Sequence, residues 1–77
     1  MSPDTRAKMV KAAHQYAEGA RVAVRGVRKK AFADIKKAGP ASEDERKRLE
    51  KQVDEFTKSH VEMVDAALAR KEKDLAA

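Results

Sequence analysis

Apolar residues recur through the first half of the chain at helical intervals. Val10, Ala13, Ala17, Ala20, Val24, Val27, Ala31 and Ile35 follow one another at steps of 3, 4, 3, 4, 3, 4 and 4. Those steps return each side chain to the same side of an α-helix, and Met9, Tyr16 and Phe32 widen the stripe. A second stripe runs through Leu49, Val53, Phe56, His60, Val64, Ala67 or Leu68, and Leu75, flanked by Met63. One break separates the two. Gly39 can take the left-handed conformation that ends a helix, and Pro40 cannot continue one. Ser42 with Glu45 three residues on reads as a capping box, in which the hydroxyl serves an amide of the new helix and the carboxylate reaches back. Glu43, Asp44 and Glu45 suit the positive end of that helix's dipole. Ser2 or Asp4 offers an N-cap for the first helix. The pattern predicts an all-α chain of two long antiparallel helices, about 4–38 and about 43–75, joined by the loop 39–42. Each spans roughly 50 Å at 1.5 Å per residue. Glu43 with Lys47, and Asp44 with Arg48, are spaced to pair on the exposed side of the second helix.

Alanine supplies four of the eight residues of the first stripe and 15 of the 32 apolar residues of the chain. Such seams allow close approach but bury little area, and a 77-residue chain is marginal unless something completes it. Two helices leave one groove uncovered. A third helix is expected there, from a missing segment of the same protein or from a second copy in an antiparallel four-helix dimer. Cysteine is absent, which excludes disulfides and thiolate metal sites. No run of about 18 apolar residues exists to cross a membrane, and the first twenty residues lack the apolar core of a secretory signal. They resemble a basic amphipathic presequence only in part, because Asp4 and Glu18 interrupt it.

Charge is unevenly spread. Residues 1–38 carry ten Lys/Arg against three Asp/Glu, a balance of +7, whereas residues 39–77 carry eight against ten, a balance of −2. A basic half beside a nearly neutral one points to a polyanion, nucleic acid before acidic membrane; the competing reading is a lysine-rich, solvated surface. With Val24 as the centre of the first stripe, Arg21 and Arg28 fall roughly 40–60° to one side and Arg25 near 100°, at 100° per residue. Lys11, Lys29 and Lys36 lie further round, at roughly 120–140°. The arginines thus form a ladder beside the seam, where their planar forks suit phosphate oxygens of a folded RNA. Alternatively, their aliphatic stems cover the core edge and the heads are only solvated. No aromatics are interleaved for base stacking, so sequence-specific reading of single strands is not expected. Catalysis has little to stand on. His14 and His60 sit on different helices outside any metal-binding spacing, with His60 expected to pack half-buried. The carboxylate pairs Glu43/Asp44 and Glu72/Asp74 lie at helix ends or in charge runs, and no phosphate loop or nucleophile motif occurs. No cofactor, metal or enzymatic activity is expected.

The stretch Glu18-Gly-Ala-Arg-Val-Ala-Val-Arg-Gly-Val-Arg-Lys-Lys30 resembles the signature helix of ribosome recycling factor, where the family typically reads Ala-Arg-Val-Ala-Val-Arg-Asn-Val/Ile-Arg-Arg-Asp. The likeness continues through Ser42-Glu43-Asp44, Leu49-Glu50-Lys51-Gln52-Val53-Asp54-Glu55-Phe56-Thr57-Lys58, Asp65-Ala66-Ala67-Leu68-Ala69 and Lys71-Glu72-Lys73-Asp74-Leu75. It implies an elongated three-helix bundle, of which residues 1–77 resemble the last two helices, with a small α/β domain inserted between the family's first and second helices. It also implies recycling of the post-termination ribosome with elongation factor G, the bundle lying on large-subunit ribosomal RNA and no membrane involved. Arg25 and Arg28 match the family's RNA-contacting arginines, and Arg21, Lys29 and Lys36 join them as candidates.

The departures are equally specific. Gly26 stands for the usual Asn, and Lys29-Lys30 for Arg-Asp. The first bundle helix and the small domain have no counterpart here, so a fragment or a shortened form is expected, without the family's contact to elongation factor G. The runs at 35–39 and 47–51 look more like the organellar branch, plant-type mitochondrial members above all, with bacterial cytoplasm or chloroplast as alternatives. A helical protein–protein interaction module without RNA binding is the competing function.

Overall fold

A computed structural model describes residues 1–77. Its helix boundaries follow from the capping residues. Ser2 is extended, at φ −71° and ψ 155°, and its hydroxyl accepts the Thr5 N–H at 3.2 Å. Pro3 then occupies the first helical position, where no amide is required. The helix α1 runs Pro3–Ala38 and stops at Gly39, whose φ of 63° is open to glycine without strain. The Gly39 N–H closes the turn on the Lys36 carbonyl at 3.3 Å. After Pro40 and Ala41, the helix α2 runs Glu43–Ala76. Ser42 caps it by accepting the Glu45 N–H at 3.1 Å. The returning Glu45 carboxylate accepts from Ala41 N–H at 3.3 Å, one residue before the amide that the capping-box pattern points to. The all-α hairpin read from the sequence is the fold observed.

The two helices lie side by side as a thin slab, 59 × 16 × 9 Å. Only Ala17 and Leu75 are buried, at 7% and 5% exposure. The contact runs along Val10, Ala13, Ala20, Val24, Ala31 and Ile35 of α1 and Leu49, Val53, Val61, Val64 and Leu68 of α2, all half-buried. Val27 and Phe56 of the sequence stripes, and Met63 flanking the second, lie outside it, at 57%, 53% and 61% exposure. At 100° per residue Phe56 and Met63 turn roughly 80–100° away from Val64, beyond the arc that one neighbouring helix covers. Each stripe is therefore wider than the contact, and its uncovered part forms one apolar face. The total accessible surface is 6048 Å², about 1,400 Å² more than a folded monomer of this mass ordinarily exposes.

The expected pairs Glu43–Lys47 and Asp44–Arg48 do not form. Arg46 instead bridges Glu43 and Glu50, the latter at 3.3 Å, because its fork reaches three residues back and four forward at once. His60 is half-buried as its place on the stripe suggests. Its Nδ1 lies 2.9 Å from the Phe56 carbonyl, and the two rings stack with centroids 4.0 Å apart.

Removing the second cap tests how the hairpin is punctuated. Ser42→Ala should destabilise the fold by ~1 kcal/mol, lowering the thermal midpoint by about 4–8 °C at fixed protein concentration. Circular dichroism melts are the measurement, and an unchanged midpoint would show that the Ser42 hydroxyl contributes nothing.

Candidate nucleic-acid interface

Helical spacing places Arg21, Arg25 and Arg28 on one flank of α1, and the structure shows what surrounds each head group. Arg21 donates from Nε and Nη2 to Asp65 Oδ1 of α2, at 2.9 and 2.7 Å. Its Nη1 lies 3.3 Å from Glu18 Oε2. Arg25 donates to the other Glu18 oxygen at 2.8 Å. Arg28 donates from Nε to Asp54 Oδ1 at 2.7 Å, with its guanidinium 4.2 Å above the Phe32 ring. A fourth contact, His14 Nε2 to Glu72 Oε1 at 2.9 Å, continues the series.

His14, Arg21 and Arg28 are each seven residues apart, which is two helical turns and roughly 10 Å. Their cross-helix partners thus form three rungs along one face of the slab. Exposed pairs of this kind add little stability and weaken with salt. Their effect is geometric, since each rung ties a defined height of α1 to a defined height of α2. The hydrogen bond from Arg25, with its charge and that of Arg21, holds the Glu18 carboxyl below the ordinary glutamate range, against the opposing effect of partial desolvation. The Asp65 hydrogen bond pushes Arg21 further up, so that guanidinium is permanently charged.

The three arginines are unequally available. Side-chain exposure is 23% for Arg21, 43% for Arg28 and 59% for Arg25. Arg21 and Arg28 are engaged across the seam, whereas Arg25 is held only by Glu18 of its own helix. Lys29 and Lys36 are exposed further round α1, and no ion pair in the chain involves a lysine. The structure thus gathers Arg21, Arg25 and Arg28 on one flank and leaves the two lysines beside it. Sequence reasoning missed the acid partners Glu18, Asp54 and Asp65. Glu18, three residues before Arg21, was detectable as a local helical pair; Asp54 and Asp65 required the register between helices. No cluster of three or more His, Cys, Asp or Glu residues suited to a metal occurs, and neither helix is long and apolar enough to cross a membrane.

A family model described as ribosome recycling factor matches residues 1–75. The chain is similar to the ribosome-recycling factor of Rhodopseudomonas palustris (strain HaA2), 45% identical over an alignment 78 positions long that covers 97% of this chain and 42% of that protein. The corresponding protein of Methylobacterium nodulans (strain LMG 21967 / CNCM I-2342 / ORS 2060) is 47% identical over the same shares of the two chains. That of Thermosynechococcus vestitus (strain NIES-2133 / IAM M-273 / BP-1) is 42% identical, covering 97% of this chain and 43% of its own length. The chain therefore spans less than half the length of these relatives. No solved structure matches it.

The Glu18 contact has a pH signature. Because its folded value is depressed, the stability this carboxylate contributes is present at neutral pH and is lost as pH falls through that lowered value. A carbon-detected NMR titration should show Glu18 protonating below the ordinary glutamate range, and Arg25→Ala should move it back upward. If Arg25→Ala leaves the Glu18 titration where it was, the pair does not persist in solution.

Proposed function

The chain belongs to the ribosome recycling factor family, and on that premise we propose that it takes part in recycling the ribosome after translation termination. It does so as a binding protein rather than an enzyme. The flank of α1 carrying Arg21, Arg25 and Arg28, with Lys29 and Lys36 beside it, lies on large-subunit ribosomal RNA. Elongation factor G then splits the post-termination ribosome, its contact being made in an assembly that includes the small α/β domain. One observation carries the RNA reading: a single helix of 36 residues carries all three arginines on one flank. Phosphate oxygens replace carboxylate oxygens in the guanidinium fork with the same charge and similar geometry, so each arginine exchanges one partner for another. Arg25 gives up only Glu18, Arg28 gives up Asp54, and Arg21 gives up two acids.

The organellar placement, mitochondrion first, rests on the runs at 35–39 and 47–51. The matched relatives are bacterial, and their similarity supports the alternative of a bacterial cytoplasm. A second function, a helical protein–protein interaction module whose basic flank serves solubility alone, is favoured by one feature, the exposed Tyr16, Val27, Phe56 and Met63.

Salt separates the two functions, because phosphate contacts weaken steeply with ionic strength and apolar packing does not. Binding to isolated large ribosomal subunits is measured across a salt series for Arg25→Ala, Arg28→Ala, Arg28→Lys and Lys51→Ala. Each lost phosphate contact should flatten the slope of log affinity against log salt by about one unit. Arg28→Lys should weaken binding nearly as much as Arg28→Ala, since lysine keeps the charge and loses the fork. Lys51→Ala should change little. Equal small effects from all four substitutions would remove these arginines from the interface.

A further inference from the structure

Glu18 is the only acid between Asp4 and Asp34, a stretch of α1 that holds eight Lys and Arg residues. Measured from Val24, it falls at roughly 120° round the helix, outside Arg21 at roughly 60° and Arg25 at roughly 100°. Its two carboxylate oxygens serve different arginines. Oε1 accepts from Arg25 at 2.8 Å, and Oε2 accepts from Arg21 at 3.3 Å. Asp54 and Asp65 hold their arginines from α2, across the seam. Glu18 holds its pair from α1 itself, on the outer side of the ladder.

We infer that Glu18 is a built-in competitor of RNA phosphate for Arg25, a latch that lowers the affinity of the flank and keeps its binding reversible. The inference rests on the RNA reading above and adds what regulates that contact. Two features make this carboxylate a competitor rather than one more solvated charge. The first is that it is held in place. Arg21 spends Nε and Nη2 on Asp65 and has Nη1 left for Glu18. That third hydrogen bond fixes one oxygen and turns the other toward Arg25. Without it, a pair seven residues apart would have to order two long side chains unaided.

The second feature is chemical likeness. A carboxylate offers a guanidinium two charged oxygens, the same kind of acceptor pair that a phosphate offers. RNA must therefore displace one anion from Arg25 to seat another. The Arg25 hydrogen bond and the neighbouring guanidinium charges hold the Glu18 carboxyl below the ordinary range, so the latch is charged and closed at neutral pH. It is also weak, as exposed pairs are, and so tunes the affinity without abolishing it. A protein that serves one ribosome after another has to let go of each. A competitor on the same helix favours that departure, because it retakes Arg25 as soon as a phosphate loosens.

The test is binding of the 77-residue chain to isolated large ribosomal subunits across a salt series, with helicity of each variant checked by circular dichroism. Glutamine matches glutamate in helix propensity, so Glu18→Gln should keep the fold. It should bind roughly three- to five-fold more tightly at low salt, with the gain shrinking as salt rises. Glu18→Asp keeps the charge but is too short to bridge both arginines, and should also bind more tightly, by at least about two-fold. Glu55→Gln removes an equal charge from the far side of α2 and should stay within about two-fold of the unmodified chain. In an Arg25→Ala background the gain from Glu18→Gln should vanish, because the latch acts through that arginine. Three results overturn the latch: no gain from Glu18→Gln, an equal gain from Glu55→Gln, or a gain that survives Arg25→Ala. If Arg25→Ala alone weakens binding while Glu18→Gln changes nothing, the latch falls and the RNA reading stands. If Arg25→Ala alone has no effect, Arg25 is not at the interface and both fall together.

Discussion

The pairing of two long helices with almost nothing buried between them is the constraint on which the rest of the structure depends. Hydrophobic stabilisation scales with apolar area removed from water, at roughly 25 cal/mol per Å², and this seam buries only one alanine and one leucine. The alanines of α1 in the contact, Ala13, Ala17, Ala20 and Ala31, also carry no large side chains to interlock, so that part of the seam specifies axial register weakly. Other groups supply what the seam lacks. Serine caps and a left-handed glycine set where each helix starts and stops. The rungs His14–Glu72, Arg21–Asp65 and Arg28–Asp54 set how far one helix slides along the other.

That division of labour gives the slab two unlike broad faces. On one, long side chains cross the seam, and their apolar stems cover the edge of the contact while the charged ends meet in water. On the other, the same seam is flanked by Tyr16, Val27, Phe56 and Met63, none of which has a charged partner to reach for. A helix 10–12 Å across with a neighbour on one side always leaves a second apolar flank open when its stripe exceeds about 100°. Both stripes exceed it here, and they open toward the same side.

Much of this was legible in the sequence, and the rest was not for identifiable reasons. The caps at Ser2 and Ser42 and the stop at Gly39 are local chemistry, so the helix limits could be read within a residue or so. The arginine flank followed from 100° arithmetic within one helix. What failed was everything needing the second helix. Val27 and Phe56 belong to the stripes yet lie outside the contact, because periodicity gives the width of a stripe but not the half a single neighbour covers. Asp54 and Asp65 went unnoticed because periodicity says which side of a helix a residue faces and not what lies opposite. Arg46 took Glu43, the acid spaced to pair with Lys47, together with Glu50, since its fork reaches a turn back and a turn forward at once.

The acid partners also change what the arginine ladder means. An unpaired arginine on a solvated helix samples many rotamers, and ordering it against a phosphate costs conformational entropy. Here each guanidinium is already held by a carboxylate on the flank it would use, so part of that ordering is present before any ligand arrives. The same carboxylates oppose a polyanion, because each must be displaced or repels the phosphate that replaces it. The balance differs along the ladder. Arg21, 23% exposed and bound to acids on both helices, is the most firmly held and serves the hairpin's register first. Arg25, 59% exposed and tied only to Glu18 a turn or two away, loses no inter-helix contact when it changes partner. Arg28 stands between, since the Phe32 ring beneath it keeps its plane oriented even after Asp54 lets go. A phosphate backbone approaching this flank therefore meets Arg25 first, then Arg28, and reaches Arg21 only by loosening the rung that aligns the two helices.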